Sequence, residues 1–258
     1  MLTPLLTETA KRASTLFTQE ERSLLDPQHV PHHIAIIMDG NRRWAQNEKL
    51  KAVAGYWEGA ELLIEIVRAS AELGVRVLTV YAFSTENWFR PENEIEGVME
   101  LFEFYLTHKR ELMVQEGIRL DVIGDITKLP SKVQAALQET RSATASGTQI
   151  NLVLALNYGG RDEIRRAMLK IIERHEREPI KKEELTETFI SQFLDTSRWK
   201  DPDLMIRTGG DMRISNFLLW QLSYSELYIS DKFWPDFTPK ELLRALLDFQ
   251  SRRRNFGK

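Results

Sequence analysis

Residues 33–43 read His-Ile-Ala-Ile-Ile-Met-Asp-Gly-Asn-Arg-Arg, and the fold turns on them. Residues 33–38 form an apolar run too short for a helix core, and Asp39-Gly40-Asn41 closes it with turn formers. That pattern predicts a buried strand running into a tight turn. Beyond the turn, Leu50, Val53, Ala54, Trp57, Ile64, Val67 and Ala71 keep near a 3.6-residue period. The spacing predicts one helix over residues 44–73, stopped by Gly74.

The same unit recurs with variations. Residues 75–83, 118–123 and 150–156 are further strand candidates, and 204–206 and 227–229 are shorter ones. Helices are expected over residues 93–115 and 181–194, and after Gly160. Another should open at residue 131 on an S-x-x-Q capping box, and the last on Thr238-Pro239-Lys240-Glu241. Residues 1–31 read as an arm with a helix over 11–25, ended by Asp26-Pro27, and residues 32–258 as one domain. Strands alternating with helices predict an α/β fold: a central, mostly parallel sheet of about six strands, flanked by helices.

Composition narrows the chemistry. The 258 residues are 42% hydrophobic and contain no cysteine, which removes disulfides, thiolate nucleophiles and cysteine zinc sites. Lys+Arg 35 against Asp+Glu 38 leaves a net charge of −3, so no nucleic-acid footprint spans the chain. No apolar stretch approaches a membrane span, and the start, MLTPLLTETAKR, lacks the pattern of a secretory signal. The expectation is a soluble, cytoplasmic protein.

In an open α/β sheet, ligands collect beyond the carboxyl ends of the strands. Four such ends carry Asp39-Gly40-Asn41-Arg42-Arg43-Trp44, Ser84-Thr85-Glu86-Asn87-Trp88-Phe89-Arg90, Asn157-Tyr158-Gly159-Gly160-Arg161-Asp162 and Arg207-Thr208-Gly209-Gly210 with Arg213, Ser215 and Asn216. Arginine forks match phosphate oxygens, and glycines let backbone N–H groups approach them. A carboxylate such as Asp39 or Glu226 suits Mg²⁺, which binds one or two carboxylates plus substrate phosphates. The helix around residues 95–106 is apolar beyond one stripe, as expected if one side packs and the other lines an apolar cavity. Phosphates at the mouth and hydrocarbon inside describe a lipid diphosphate.

Four segments in order, HHIAIIMDGNRRWA (32–45), LTVYAFSTENWFRP (78–91), LNYGGRDEI (156–164) and DLMIRTGGDMRISNFLLWQLSYSELYISDKFWPDF (203–237), closely resemble the cis-prenyltransferases, specifically those of the undecaprenyl diphosphate synthase type. The resemblance implies a homodimeric, Mg²⁺-dependent enzyme that extends farnesyl diphosphate with isopentenyl diphosphate units around an apolar tunnel. It implies catalytic roles for Asp39, Asn87 and Arg90, and Mg²⁺ coordination by Asp39 and Glu226. Gly40, Asn41, Arg42, Arg43 and Trp44 would surround the allylic diphosphate, and Arg207, Arg213 and Ser215 the second diphosphate. By the same resemblance Ser84, Thr85, Glu86 and Trp88 would bind substrate in the active-site loop, and Ala82 and Ile150 would match tunnel positions that influence product length. An apolar product implies transient contact with a membrane surface, to which the basic residues 252–254 could contribute.

Departures from the family pattern concentrate after the first motif. Ala52 and Tyr56 stand where the family carries arginine and histidine, and Arg42 where it carries glycine; Lys49 or Lys51 are candidates to compensate. Rival chemistries fit less well. A phosphatase of the haloacid-dehalogenase type wants aspartate where Asn41 stands, and the helical trans-prenyltransferases carry a DDxxD motif that is absent.

Overall fold

The computed structural model describes residues 15–252. Six strands, β1 (His33–Ile37), β2 (Val77–Ser84), β3 (Ile118–Ile123), β4 (Ile150–Tyr158), β5 (Leu204–Arg207) and β6 (Glu226–Ile229), form one sheet in the order β3-β4-β2-β1-β5-β6. Every pairing is parallel, so the sheet is wholly rather than mostly so. The helices are α1 (Gln19–Ser23), α2 (Asn41–Asn47), α3 (Ala52–Glu72), α4 (Glu92–His108), α5 (Arg110–Gln115), α6 (Ser131–Ala143), α7 (Gly160–Arg177), α8 (Glu187–Ser191) and α9 (Pro239–Ser251). The chain runs from β1 to β2 and on to the edge strand β3, returns to insert β4 between β2 and β3, then crosses to β5 on the other side of β1. That reversal opens a crevice at the carboxyl ends of β1 and β5.

Alternation along β1 divides the core. Ile34 and Ile36 join the cluster that includes Leu78, Val80, Leu152 and Leu154 under α3, α4 and α9, whereas Ala35 and Ile37 join Val153, Met205, Phe217 and Leu218 on the opposite face. Burial on both faces is why β1 reads as an unbroken apolar run.

Several helices differ from expectation for local reasons. The expected helix over 44–73 is two: Lys49 takes φ 58, and the turn lays α2 against α3, where an added Cβ on Gly55 would meet the Asn41 carbonyl at 2.1 Å. The helix over 93–115 breaks at Lys109, because the Thr140 hydroxyl donates to Leu106 O at 2.6 Å and occupies the carbonyl that the 110 N–H would use. No capping box forms at Ser131. Pro130 is the N-cap, and the Gln134 amide donates instead to Leu129 O at 2.7 Å. Only Glu187–Ser191 and one 3₁₀ turn are helical within 181–194, since the Thr186 hydroxyl accepts from Phe189 N and starts a new helix. α9 begins at Pro239 as expected, without a side-chain cap from Thr238. Of the helix expected over 11–25, residues 11–14 lie outside the described residues and α1 covers only Gln19–Ser23.

β1 also carries a titratable core group. The His33 ring bridges the Lys200 carbonyl, 2.6 Å from Nδ1, and the Thr79 hydroxyl, 2.7 Å from Nε2, which suits a neutral ring with Nδ1–H donating. Burial, partly opposed by that bond to Lys200, depresses its pKa from 6.5 to about 4. Between those values the unfolded chain binds a proton that the folded chain refuses. The stabilisation is complete above pH 6.5 and is lost as pH falls to about 4, roughly 3 kcal/mol in all. Thermal melting across this window should show the fall in the native protein and a flatter slope in His33→Gln; equal slopes would refute the assignment.

Candidate active site

β1 ends at Ile37, and the chain turns away from the sheet through Met38-Asp39-Gly40. Gly40 takes φ 105, a region side chains avoid, and an added Cβ there would lie 2.7 Å from the Phe233 ring. The turn puts Asp39 beside β5, at the crevice. Asp39 Oδ2 accepts from Arg207 Nη2 at 2.7 Å, Oδ1 accepts from Gly40 N at 2.7 Å, and Arg43 Nη2 stands 3.2 Å from Oδ1. Burial works to raise the Asp39 pKa, but hydrogen bonding and charge from Arg207, with Arg43 and Gly40, hold the carboxyl below its usual range.

Arg207 is only 3% exposed, which is costly for a guanidinium unless it is paired; both terminal nitrogens are, while its Nε has no hydrogen-bond partner. Its Nη1 donates to Ser215 Oγ at 2.8 Å and to the Arg213 carbonyl, and Asp211 lies 3.5 Å from Nη2. Asp211 also pairs with Arg213 at 2.7 Å and Arg43 at 3.6 Å. Two carboxylates and three arginines thus converge on one sheet edge.

Two pockets meet at Asp39. The larger, about 930 Å³, is lined by Arg42, Arg43, Lys49, Arg90 and Arg213 against Asp39 and Asp211, so five cations face two carboxylates. That excess suits a multiply charged anion. The smaller, about 440 Å³, lies between Asp39, Ser84, Glu86, Asn87, Arg90, Ser215 and Asn216. Behind the larger pocket is an apolar cavity of about 100 Å³, walled by Leu152 and Leu154 of β4, Leu63 of α3, and Val98, Leu101 and Phe102 of α4. Met38, Asn41, Tyr56, Ala82 and Arg90 line both spaces and form the throat between them. The wide apolar surface of α4 is thereby explained: Met99 packs in the core while Phe102 faces the cavity.

The throat holds a buried carboxylate. Glu94, 6% exposed, accepts from the Tyr56 hydroxyl at 2.7 Å and lies 3.3 Å from Arg90 and 3.8 Å from Arg42. Arg90 also donates to the Tyr56 hydroxyl at 2.7 Å. Burial and Glu94 push the Tyr56 phenol well up, so it remains a donor. Lys49 lines the larger pocket and Lys51 does not, while Ala52 lines it without charge.

The structure therefore gathers Asp39, Gly40, Asn41, Arg42, Arg43, Ala82, Ser84, Glu86, Asn87, Arg90, Arg207, Arg213 and Ser215 around the crevice. Other expected site residues stand apart. Trp44 donates its indole N–H to Asp236 at 3.1 Å and lines neither pocket, and Thr85 lines neither. Trp88 donates to Asn157 Oδ1 at 2.8 Å and packs edge-on against Phe83, supporting the loop from beneath. Ile150 is on the cavity-facing side of β4 but four residues beyond Leu154, about 13 Å deeper, outside the present lining. Glu226 pairs in register with Leu204, about 10 Å along β5 from Arg207, and is held by Arg252 at 2.8 Å. Within one chain it does not join Asp39. Sequence reasoning missed Asp211 and Glu94; their signals were a carboxylate inside the Arg207–Arg213 segment and one four residues after Arg90.

Residues 37–257 match the family model described as "Putative undecaprenyl diphosphate synthase". The isoprenyl transferase of Chlamydia pneumoniae is 46% identical over 90% of this chain and 94% of its own length; that of Aquifex aeolicus is 46% identical over 89% and 96%. Among solved structures, lavandulyl diphosphate synthase from Lavandula x intermedia, in complex with dimethylallyl diphosphate, superposes with a TM-score of 0.87 at 34% identity, covering 90% of this chain and 100% of that one. A "probable undecaprenyl diphosphate synthase" from Campylobacter jejuni gives 0.74 at 35% identity, covering 88% and 99%. The strand-end arginines around Asp39 and the matches over nearly the whole chain make this protein a member of the undecaprenyl diphosphate synthase family of isoprenyl transferases.

Proposed function

We propose that the protein is a cis-prenyltransferase that condenses isopentenyl diphosphate onto farnesyl diphosphate and builds a long polyprenyl diphosphate, undecaprenyl diphosphate. The observation that carries this reading is the juxtaposition of a cationic pocket and an apolar cavity through one throat. The allylic diphosphate fits the larger pocket, with Arg42 and Arg43 at its oxygens and its hydrocarbon passing Ala82. Isopentenyl diphosphate fits the smaller pocket, beside Ser215, which Arg207 holds, with Arg213 in the lining of the adjoining larger pocket.

Condensation breaks the allylic C–O bond, leaving negative charge on the diphosphate and a cation-like carbon. Arginines already aimed at the pocket stabilise the charge where it appears, and the apolar cavity beyond the throat keeps water from the hydrocarbon. The isopentenyl double bond attacks, and proton loss restores an alkene. Ser84 and Asn87, which cap each other across the 84–87 turn, position the second substrate, and the proton leaves to a diphosphate oxygen or through one of these two side chains.

The donor set fits Mg²⁺. Mg²⁺ is ordinarily held by one or two carboxylates together with substrate phosphates, and Asp39 and Asp211, both beside Arg207 Nη2, supply such carboxylates. Asp39 would hold it, with Asp211 adjacent. Asp39 is kept ionised, and its contacts with Gly40, Arg43 and Arg207 leave a carboxylate's further lone pairs free. When bound, Mg²⁺ supplies countercharge to the departing diphosphate.

A second copy of the chain would cover the outer face of α7, where Met168, Leu169 and Ile172 are exposed, and the unpaired edge of β6 with Leu227. Among the described residues no helix is long and apolar enough to cross a membrane. Phe89, 90% exposed, and Leu50 are apolar groups beside cationic Lys49 and Arg90, suited to transient contact with a lipid surface. Arg252 is engaged by Glu226 and Asp248 and adds little there; residues 253 and 254 lie outside the described residues.

Purified chain with Mg²⁺, farnesyl diphosphate and radiolabelled isopentenyl diphosphate should yield long cis products. Folded chain that binds diphosphate but never condenses it would overturn the proposal in favour of an accessory subunit.

A further inference from the structure

The loop after β5 carries unusual backbone: Ser215, Asn216 and Leu218 take φ 46, 63 and 45. Asparagine is among the few residues that accept this region readily, and a cluster of such residues persists only where surrounding contacts enforce it. Here the enforcing contacts converge on Asn216. Its Nδ2 donates to Glu86 Oε1 at 2.9 Å, its Oδ1 accepts from Arg161 N at 2.9 Å, and its carbonyl accepts from Gly160 N at 2.6 Å. The backbone donor at Arg161 settles which end of the amide is oxygen. The approach is close: an added Cβ on Gly159 would lie 2.7 Å from both Asn216 Nδ2 and Thr85 Oγ1.

Three strand-end loops, after β2, β4 and β5, therefore meet at one side chain. Glu86 and Asn216 both line the smaller pocket, and Ser215, the next residue, receives the hydrogen bond of Arg207. Burial works to raise the Glu86 pKa, yet hydrogen bonds led by Asn216 hold it below the usual range, so the tie ends on a carboxylate. We propose that Asn216 is a positioning residue that seats the 84–90 loop over the smaller pocket, by holding Glu86 on one side and the β4 loop on the other. The assignment of that pocket to isopentenyl diphosphate rests on the proposed function; the tie itself does not.

Asn216→Asp keeps the acceptor for Arg161 N, removes the donor to Glu86 and sets two carboxylates together. Glu86→Gln/Asn216→Asp restores the bond with the roles exchanged, Gln donating to Asp. In ligand-free protein, hydrogen exchange should speed about tenfold at amides of residues 84–90 in Asn216→Asp, the factor expected for loss of one charge-assisted hydrogen bond. Exchange should return to within about threefold of native in the double variant, with β1 amides unchanged throughout. In turnover, the KM for isopentenyl diphosphate should rise about tenfold in Asn216→Asp while that for the allylic substrate moves less than about twofold. Unchanged loop exchange, absence of recovery in the swap, or acceleration spread equally over all strands would overturn the tie. An equal rise in both KM values would overturn its assignment to the smaller pocket. If native chain fails to condense, the proposed function falls while the exchange data still decide the role of Asn216.

Discussion

Asp39→Ala should lower turnover by about three orders of magnitude, the scale seen when one element of preorganised charge stabilisation is removed. The same carboxylate positions two arginines of the crevice and is the proposed Mg²⁺ ligand, so its loss acts on the leaving group and on the geometry of Arg207 and Arg43 together. Folding should suffer less. Breaking a buried ion pair costs about 3–5 kcal/mol when a charge is left alone. Arg207 is not left alone: Ser215 Oγ at 2.8 Å, the Arg213 carbonyl and Asp211 at 3.5 Å remain. A loss of about 1.5–3 kcal/mol is expected in denaturant melts, the range for a charged hydrogen bond. Single-turnover kinetics beside those melts check both halves. Activity within tenfold of native would remove Asp39 from the chemistry.

Ala82→Leu should shorten the product. Ala82 lines both the cationic pocket and the apolar cavity, and three added carbons at the throat take space that the growing chain must cross. The cavity beyond the throat is only about 100 Å³, so it has little slack to absorb added bulk at residue 82. Short intermediates should accumulate, with the number of condensations per chain falling severalfold, while the first condensation stays within about threefold of native. Overpacking adds about 1–3 kcal/mol of instability. Chromatography of dephosphorylated products reads the length directly, and an unchanged length distribution would exclude Ala82 from the path.

Much of the candidate site was legible because its residues sit on local signals. Asp39, Arg43, Arg90 and Arg207 each follow an apolar run that had to be a strand, and parallel strands carry their loops to one edge. The residues read less well depend on contacts distant in sequence. Glu94 and Asp211 have local partners in Arg90 and Arg213, but they join the rest of the site because Tyr56 and Arg42 reach Glu94 from α3 and α2 and Arg43 reaches Asp211 from α2. Glu226 shows the converse: a carboxylate in a recognisable segment, placed at the far end of its strand and paired with Arg252.

Local chemistry in the sequence determined the strands, the starts of α4, α6, α7 and α9 and the cationic character of the strand-end crevice, because apolar runs, turn formers and arginine–glycine clusters act within a few residues. Tertiary structure alone decided the strand order, the breaks at Lys49 and Lys109, and the throat that joins cationic pocket to apolar cavity. Those depend on which surfaces meet after folding: a hydroxyl from α6 ends α4, and a carboxylate on α4 closes the throat against α3. No periodicity along the chain encodes such encounters, since their partners lie tens of residues apart.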